Sequence, residues 1–74
     1  MKIFIKFIDN SKYEIDIDES YTIIHLKDIL SQKFNININQ IRLIFKGSPL
    51  SDDNTIFNSN IKENSNIHFL FQLA

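Results

Sequence analysis

YEIDIDESYTIIHLKDILSQKF, residues 13–34, changes its period halfway along, and that change decides the fold. Over 13–18 the alternation is strict: Tyr13, Ile15 and Ile17 fall on one face of an extended chain, Glu14, Asp16 and Asp18 on the other. From residue 22 the interval lengthens, and Ile23, Leu26, Leu30 and Phe34 line one side of a helix. Thr22 stands where a hydroxyl can cap the first turn, and Asn35, tolerant of the left-handed conformation, can close the last. Lys27 disturbs the stripe. An ammonium in an apolar stripe must reach water or find a carboxylate, and the turn-forming Asp52 or Asp53 could supply one.

Working outward, KIFIKF (2–7) alternates Ile3 and Ile5 against Lys2, Phe4 and Lys6. The connector IDNSK to residue 12 is turn-rich, and Asn10 can adopt the left-handed conformation that a bulged hairpin requires. A β-hairpin with one apolar face therefore precedes the helix. IRLIFKG (41–47) is the next strand, with Ile41, Leu43 and Phe45 opposed to Arg42, Ile44 and Lys46. The loop SPLSDDNTIFNSN (48–60) holds turn formers, with Leu50, Ile56 and the following Ile61 as anchors. NIHFLFQL (66–73) is the last strand, with Ile67, Phe69 and Phe71 opposed to His68, Leu70 and Gln72. The order β-β-α-β-loop-β predicts an α+β roll, a mixed sheet packed on one helix.

The 74 residues allow a single domain, 1–74. Hydrophobic residues make up 43% and charged residues 23%, the balance of a chain with a core. The absence of Cys points to a reducing compartment and removes thiolate chemistry. A net charge of −1 without a basic block argues against nucleic acid, and no apolar run is long enough for a membrane span.

Catalysis finds little to stand on. Asp16 and Asp18 share a solvated strand face, and Asp52 and Asp53 sit in a turn. His25 and His68 have no ligand-spaced neighbours, one Gly cannot build a phosphate loop, and no Ser sits in a nucleophile elbow. The expectation is a protein without catalysis, metal or cofactor. The informative residues are misplaced apolar ones: Ile44 between Arg42 and Lys46, Leu70 between His68 and Gln72, and Ile8 at the hairpin mouth. Exposed singly they mean nothing; converging on one face rimmed by cations, they would make a partner site.

MKIFIK at the start, TI at 22–23, Lys27, QIRLIFKG at 40–47, Leu50, Asp52, Thr55, NI at 60–61 and NIHFLFQL at the end together resemble the ubiquitin family, in register and without a gap from Met1 to Ala74. The resemblance implies the β-grasp fold, with four to five strands and the last strand beside the first and third. It places a partner-binding patch on Ile8, Ile44, His68 and Leu70, with Arg42 and Lys6 at its rim. A secondary patch falls on Ile36, Phe71 and Leu73, and Lys27 is paired with Asp52. This sequence departs from the family in carrying Gln72 and Ala74 at arginine positions, with no Gly-Gly following. Ser48 and Glu63 occupy the places of the lysines most used in chain building, although Lys6, Lys27 and Lys33 persist. Ser59 replaces a loop-bracing tyrosine, and Phe7, Ile24, Ile29, Phe34 and Phe57 are added apolar residues.

The resemblance implies a monomeric protein-interaction module of the ubiquitin–proteasome pathway, docking on proteasomal or other ubiquitin receptors in the cytoplasm or nucleus. Met1 in register with the family's first residue suggests the N-terminal domain of a larger protein. The alternative is a conjugated modifier whose Gly-Gly lies beyond Ala74. A domain inside an enzyme of the same pathway is a third possibility. Such a patch spans a few hundred Å², which sets the expectation at a small interface of micromolar affinity.

Overall fold

A computed structural model describes residues 1–72. Strands β1 (Lys2–Lys6) and β2 (Lys12–Asp16) form the hairpin, helix α1 runs Ile23–Phe34, and β3 (Ile41–Phe45), β4 (Ser48–Pro49) and β5 (Asn66–Phe71) complete the set. The strands form one mixed sheet in the order β2-β1-β5-β3-β4. β5 lies at its centre, parallel to β1 and antiparallel to β3. This is the β-grasp arrangement.

Strand alternation sets the core. Ile3, Ile5, Ile15, Ile41, Leu43, Phe45, Ile67 and Phe69 turn inward and meet Ile23, Leu26 and Leu30 of the helix in one buried cluster. Ile17, Ile56 and Ile61 close its margins. Each fully buried Ile or Leu contributes roughly 1.5–3 kcal/mol over leaving it exposed, which is what lets so small a chain hold a fold. The opposite face of the sheet is left to solvent.

The helix bounds follow from local chemistry. Thr22 Oγ1 accepts the His25 N–H at 3.3 Å, and Asn35 closes the last turn at φ 56°, its N–H bonded to the Ser31 carbonyl. The loop before residue 55 also serves the helix. The N–H of Ile23 donates to Asn54 O at 2.8 Å and that of Ile24 to Asp52 O at 3.2 Å, satisfying amides that have no partner within the helix.

Turns are built with little glycine. Lys46 (φ 52°) and Gly47 (φ 80°) form the two-residue connection between β3 and β4, where both central residues need positive φ. Elsewhere Asn10, Asn35, Asn60 and Asn64 take the left-handed region, which Asn tolerates better than most side-chain-bearing residues.

Three features differ from the sequence expectation. β2 ends at Asp16, although Ile17 remains buried with its N–H bonded to Met1 O at 2.8 Å. A 3₁₀ turn at Ile38–Gln40, capped by the Asn37 side chain, and the short strand β4 also appear. Both are too brief for periodicity to register. The bonds of the 3₁₀ turn join Asn37 to Asn39 and Gln40, while those of β4 form only once the chain has folded back on β3.

Candidate functional site

The exposed sheet face is assembled by register. Lys6 on β1 pairs with His68 on β5, and His68 pairs with Ile44 on β3. One step along, Leu70 faces Arg42. On the other side Lys6 pairs with Lys12, so Lys12, Lys6, His68 and Ile44 form one row across four strands. Directly opposed residues on one face stand within side-chain reach of one another. Ile44, His68, Leu70, Arg42 and Lys6 therefore belong to a single surface.

Ile8 reaches that surface from the β1–β2 turn. The Phe7 N–H donates to Ser11 O at 2.9 Å, closing the loop and leaving Ile8 outside it, 90% exposed. Asp9 fixes the loop from within: its Oδ1 accepts the Ser11 hydroxyl at 2.6 Å and the Ser11 N–H at 3.0 Å. These two donors hold the Asp9 carboxyl below its ordinary value of 3.8. Asp9 keeps its negative charge, and Lys6, Lys12 and Arg42 outnumber it around this face. Arg42 Nε donates to Gln72 Oε1 at 2.9 Å, which neutralises nothing, and Lys12 Nζ lies 5.7 Å over the Phe4 ring.

Of the residues implied as a secondary patch, Ile36 packs partly against the core and Phe71 stands 49% exposed at the end of β5. Leu73 lies outside the described residues. Lys27 Nζ donates to Asp52 Oδ1 at 2.6 Å, with the lysine side chain 13% exposed and the carboxylate 50%. The pair lies in a cleft of about 440 Å³ that Ile24, Ile38 and Asp53 also line.

Among the described residues no group of three or more His, Cys, Asp or Glu side chains could hold a metal ion. His25 stacks on Tyr21 with ring centroids 4.2 Å apart. Among the described residues no helix is long and apolar enough to cross a membrane.

Sequence reading missed how the added aromatics join. Phe7 continues the inward parity of Ile3 and Ile5 past the end of β1. Its ring lies 5.1 Å from Phe69 and 5.4 Å from Phe34, whose ring in turn lies 5.2 Å from Tyr13. The parity signal was present in the sequence; the meeting with Phe34 depends on how the helix lies on the sheet.

Comparison with known proteins agrees with this geometry. NEDD8-like protein RUB1 of Saccharomyces cerevisiae is 27% identical over 73 residues, covering 99% of this chain and 95% of that protein. Ubiquitin-like protein 4A of Rattus norvegicus is 29% identical over 70 residues, and E3 ubiquitin-protein ligase parkin of Mus musculus is 24% identical over 70. The chain spans 45% of the former and 15% of the latter. The model of the ubiquitin family matches residues 3–73, nearly the whole chain, and the chain belongs to the ubiquitin family.

Proposed function

We propose that the chain is a protein-interaction module that docks through Ile8, Ile44, His68 and Leu70, with Lys6 and Arg42 at the rim, on ubiquitin receptors of the proteasome or similar helices. One observation carries this reading: β5 sits between β1 and β3 in the register that sets His68 opposite both Lys6 and Ile44, and Leu70 opposite Arg42. Apolar side chains at the centre and cations at the edge are the composition of a docking surface. Its extent favours a small, transient interface of micromolar affinity. The module works as one domain of a larger cytoplasmic or nuclear protein, in keeping with relatives of which this chain spans less than half.

Ile44→Ala tests the assignment. Its affinity for a helix from a proteasomal ubiquitin receptor should fall at least about tenfold, the equivalent of ~1.4 kcal/mol. The melting temperature should fall by no more than about 4–8 °C, the effect of ~1 kcal/mol on a domain of this size. An unchanged dissociation constant would remove the patch from consideration.

The near-complete overlap with RUB1 favours a second reading, a modifier joined to other proteins through a Gly-Gly beyond Ala74. Mass spectrometry of the protein from its own cells distinguishes the two, since only the modifier carries an isopeptide bond from its C-terminus to a lysine of another protein.

A further inference from the structure

Of the seven large apolar side chains exposed among the described residues, four gather at one end of the molecule: Ile8, Phe34, Leu70 and Phe71. They stand in front of an aromatic series. The Tyr13 ring is edge-on to Phe34 at 80°, Phe34 is edge-on to Phe7 at 79°, and Phe7 tilts against Phe69 at 53°. Contacts of this kind lock ring positions, so Phe7 is a fixed wall. With Ile8, Phe69, Leu70 and Phe71 it encloses a cleft of about 250 Å³ lined by apolar residues alone. That is less than the roughly 300–1,000 Å³ of small-molecule pockets and suits one bulky side chain. The cleft shares Ile8 and Leu70 with the docking face and continues it around the sheet edge.

The charges nearby select what surrounds that side chain. Lys6, Lys12, Arg42 and His68 lie on the adjoining face, and Lys33 Nζ sits 5.7 Å over the Tyr13 ring. The carboxylates at this end are Asp9, beside Ile8, and Glu14, two residues beyond Lys12 along the edge strand β2. Lys6, Lys12, Lys33 and Arg42 outnumber them, so this end of the molecule carries a net positive charge.

We propose that this cleft is a specificity pocket, taking one large aliphatic or aromatic side chain from a partner segment whose flanking residues are carboxylates. The inference rests on the docking reading and deepens it, because the pocket lies at the margin of the same face and sorts partners by their anchor residue.

The test uses the ¹⁵N-labelled 74-residue chain and three synthetic helical peptides of one acidic amphipathic sequence, differing only in an anchor position occupied by Ala, Leu or Phe. The Leu and Phe peptides should bind about tenfold or more tightly than the Ala peptide, the worth of one buried large side chain. Their amide shift changes should extend to Phe7, Phe69 and Phe71, while those of the Ala peptide stay near Ile44 and His68. Phe71→Ala should erase the difference between the Ala peptide and the Leu and Phe peptides, and Phe7→Ala gives a second wall to remove. If all three peptides bind wild type equally and Ile44→Ala still abolishes binding, the pocket is refuted and the docking reading survives. If none binds, both fall. A basic version of the Leu peptide binding equally well refutes the charge selection. Shifts at Phe7 and Phe71 that follow protein concentration without peptide assign the cleft to a second copy of the chain and overturn the proposal.

Discussion

Lys27 and Asp52 are unequal partners, and the inequality can be measured. The lysine side chain is 13% exposed and the carboxylate 50%, so removing one strands a largely buried ammonium while removing the other strands a half-hydrated anion. Asp52→Ala should therefore cost about 1–3 kcal/mol, the penalty of an unsatisfied buried charge-bearing group. Lys27→Met, which keeps the apolar stem and leaves Asp52 to water, should cost less. Urea denaturation of the two variants decides the order, and equal losses would mean that the ammonium reaches solvent when unpaired. The lysine's need for a partner was legible from its place in the helical stripe. The choice of Asp52 over Asp53 came only from the resemblance, because both carboxylates sit in one turn and only the path of the loop over the start of α1 separates them. Asparagine supplies four left-handed turn residues, Asn10, Asn35, Asn60 and Asn64, in a chain with a single Gly.

At the level of elements, legibility followed the range of the interactions. Helix α1 begins after Thr22 and stops before Asn35 because both caps act through neighbours within a few residues, and such signals lie in the sequence itself. Strand β4 depends on a partner that exists only in the folded chain, Phe45 opposite Ser48, whereas the 3₁₀ turn is closed by local bonds and is too brief for periodicity to register. Phe34, at helical spacing with the core residues, ends half-exposed against Phe7 and Tyr13, because the helix ends just as it reaches the sheet edge. The C-cap offers the sharper experiment. Asn35 sits at φ 56°, so Asn35→Gly relieves a conformational cost and should change stability by less than about 1 kcal/mol in either direction. Asn35→Val places a β-branched residue in the left-handed region and should destabilise by about 1–2 kcal/mol. Thermal melts of both report the difference. A valine variant as stable as wild type would show that the helix frays at this end instead of being closed there.

On the scale of the whole molecule, the proposed docking face was half legible. Alternation singled out Ile44 and Leu70 as misplaced, but nothing local says that the last strand enters the middle of the sheet; the resemblance supplied that, and the strand order bears it out. The same separation of local and long-range causes governs how stability should depend on pH. Asp9 is held below its ordinary value of 3.8 by the Ser11 hydroxyl and amide, and Asp18 is lowered by the backbone amide and then the hydroxyl of Ser20. A carboxylate depressed in the folded state contributes stability that is present above its unfolded value and is lost as pH falls through the folded one. The Met1 amine is shifted the other way, raised above 8.0 chiefly by its hydrogen bond to Asp16 Oδ1 at 2.9 Å. Its contribution is complete below the unfolded value and fades as pH rises through the raised one. Both limbs should be shallow, since all three groups face water. Urea midpoints followed across pH should show the acid limb flattening in Asp9→Asn and again in Asp18→Asn, and the alkaline limb flattening most in Asp16→Asn, with a smaller effect in Asp18→Asn, whose charge also acts on the Met1 amine. The acid limb then belongs chiefly to the two turns and the alkaline limb to the junction of β1 with β2. An acid limb unchanged in both turn variants would mean that these carboxylates keep the same proton affinity when the chain unfolds, and that their hydrogen bonds to serine persist locally within the turns.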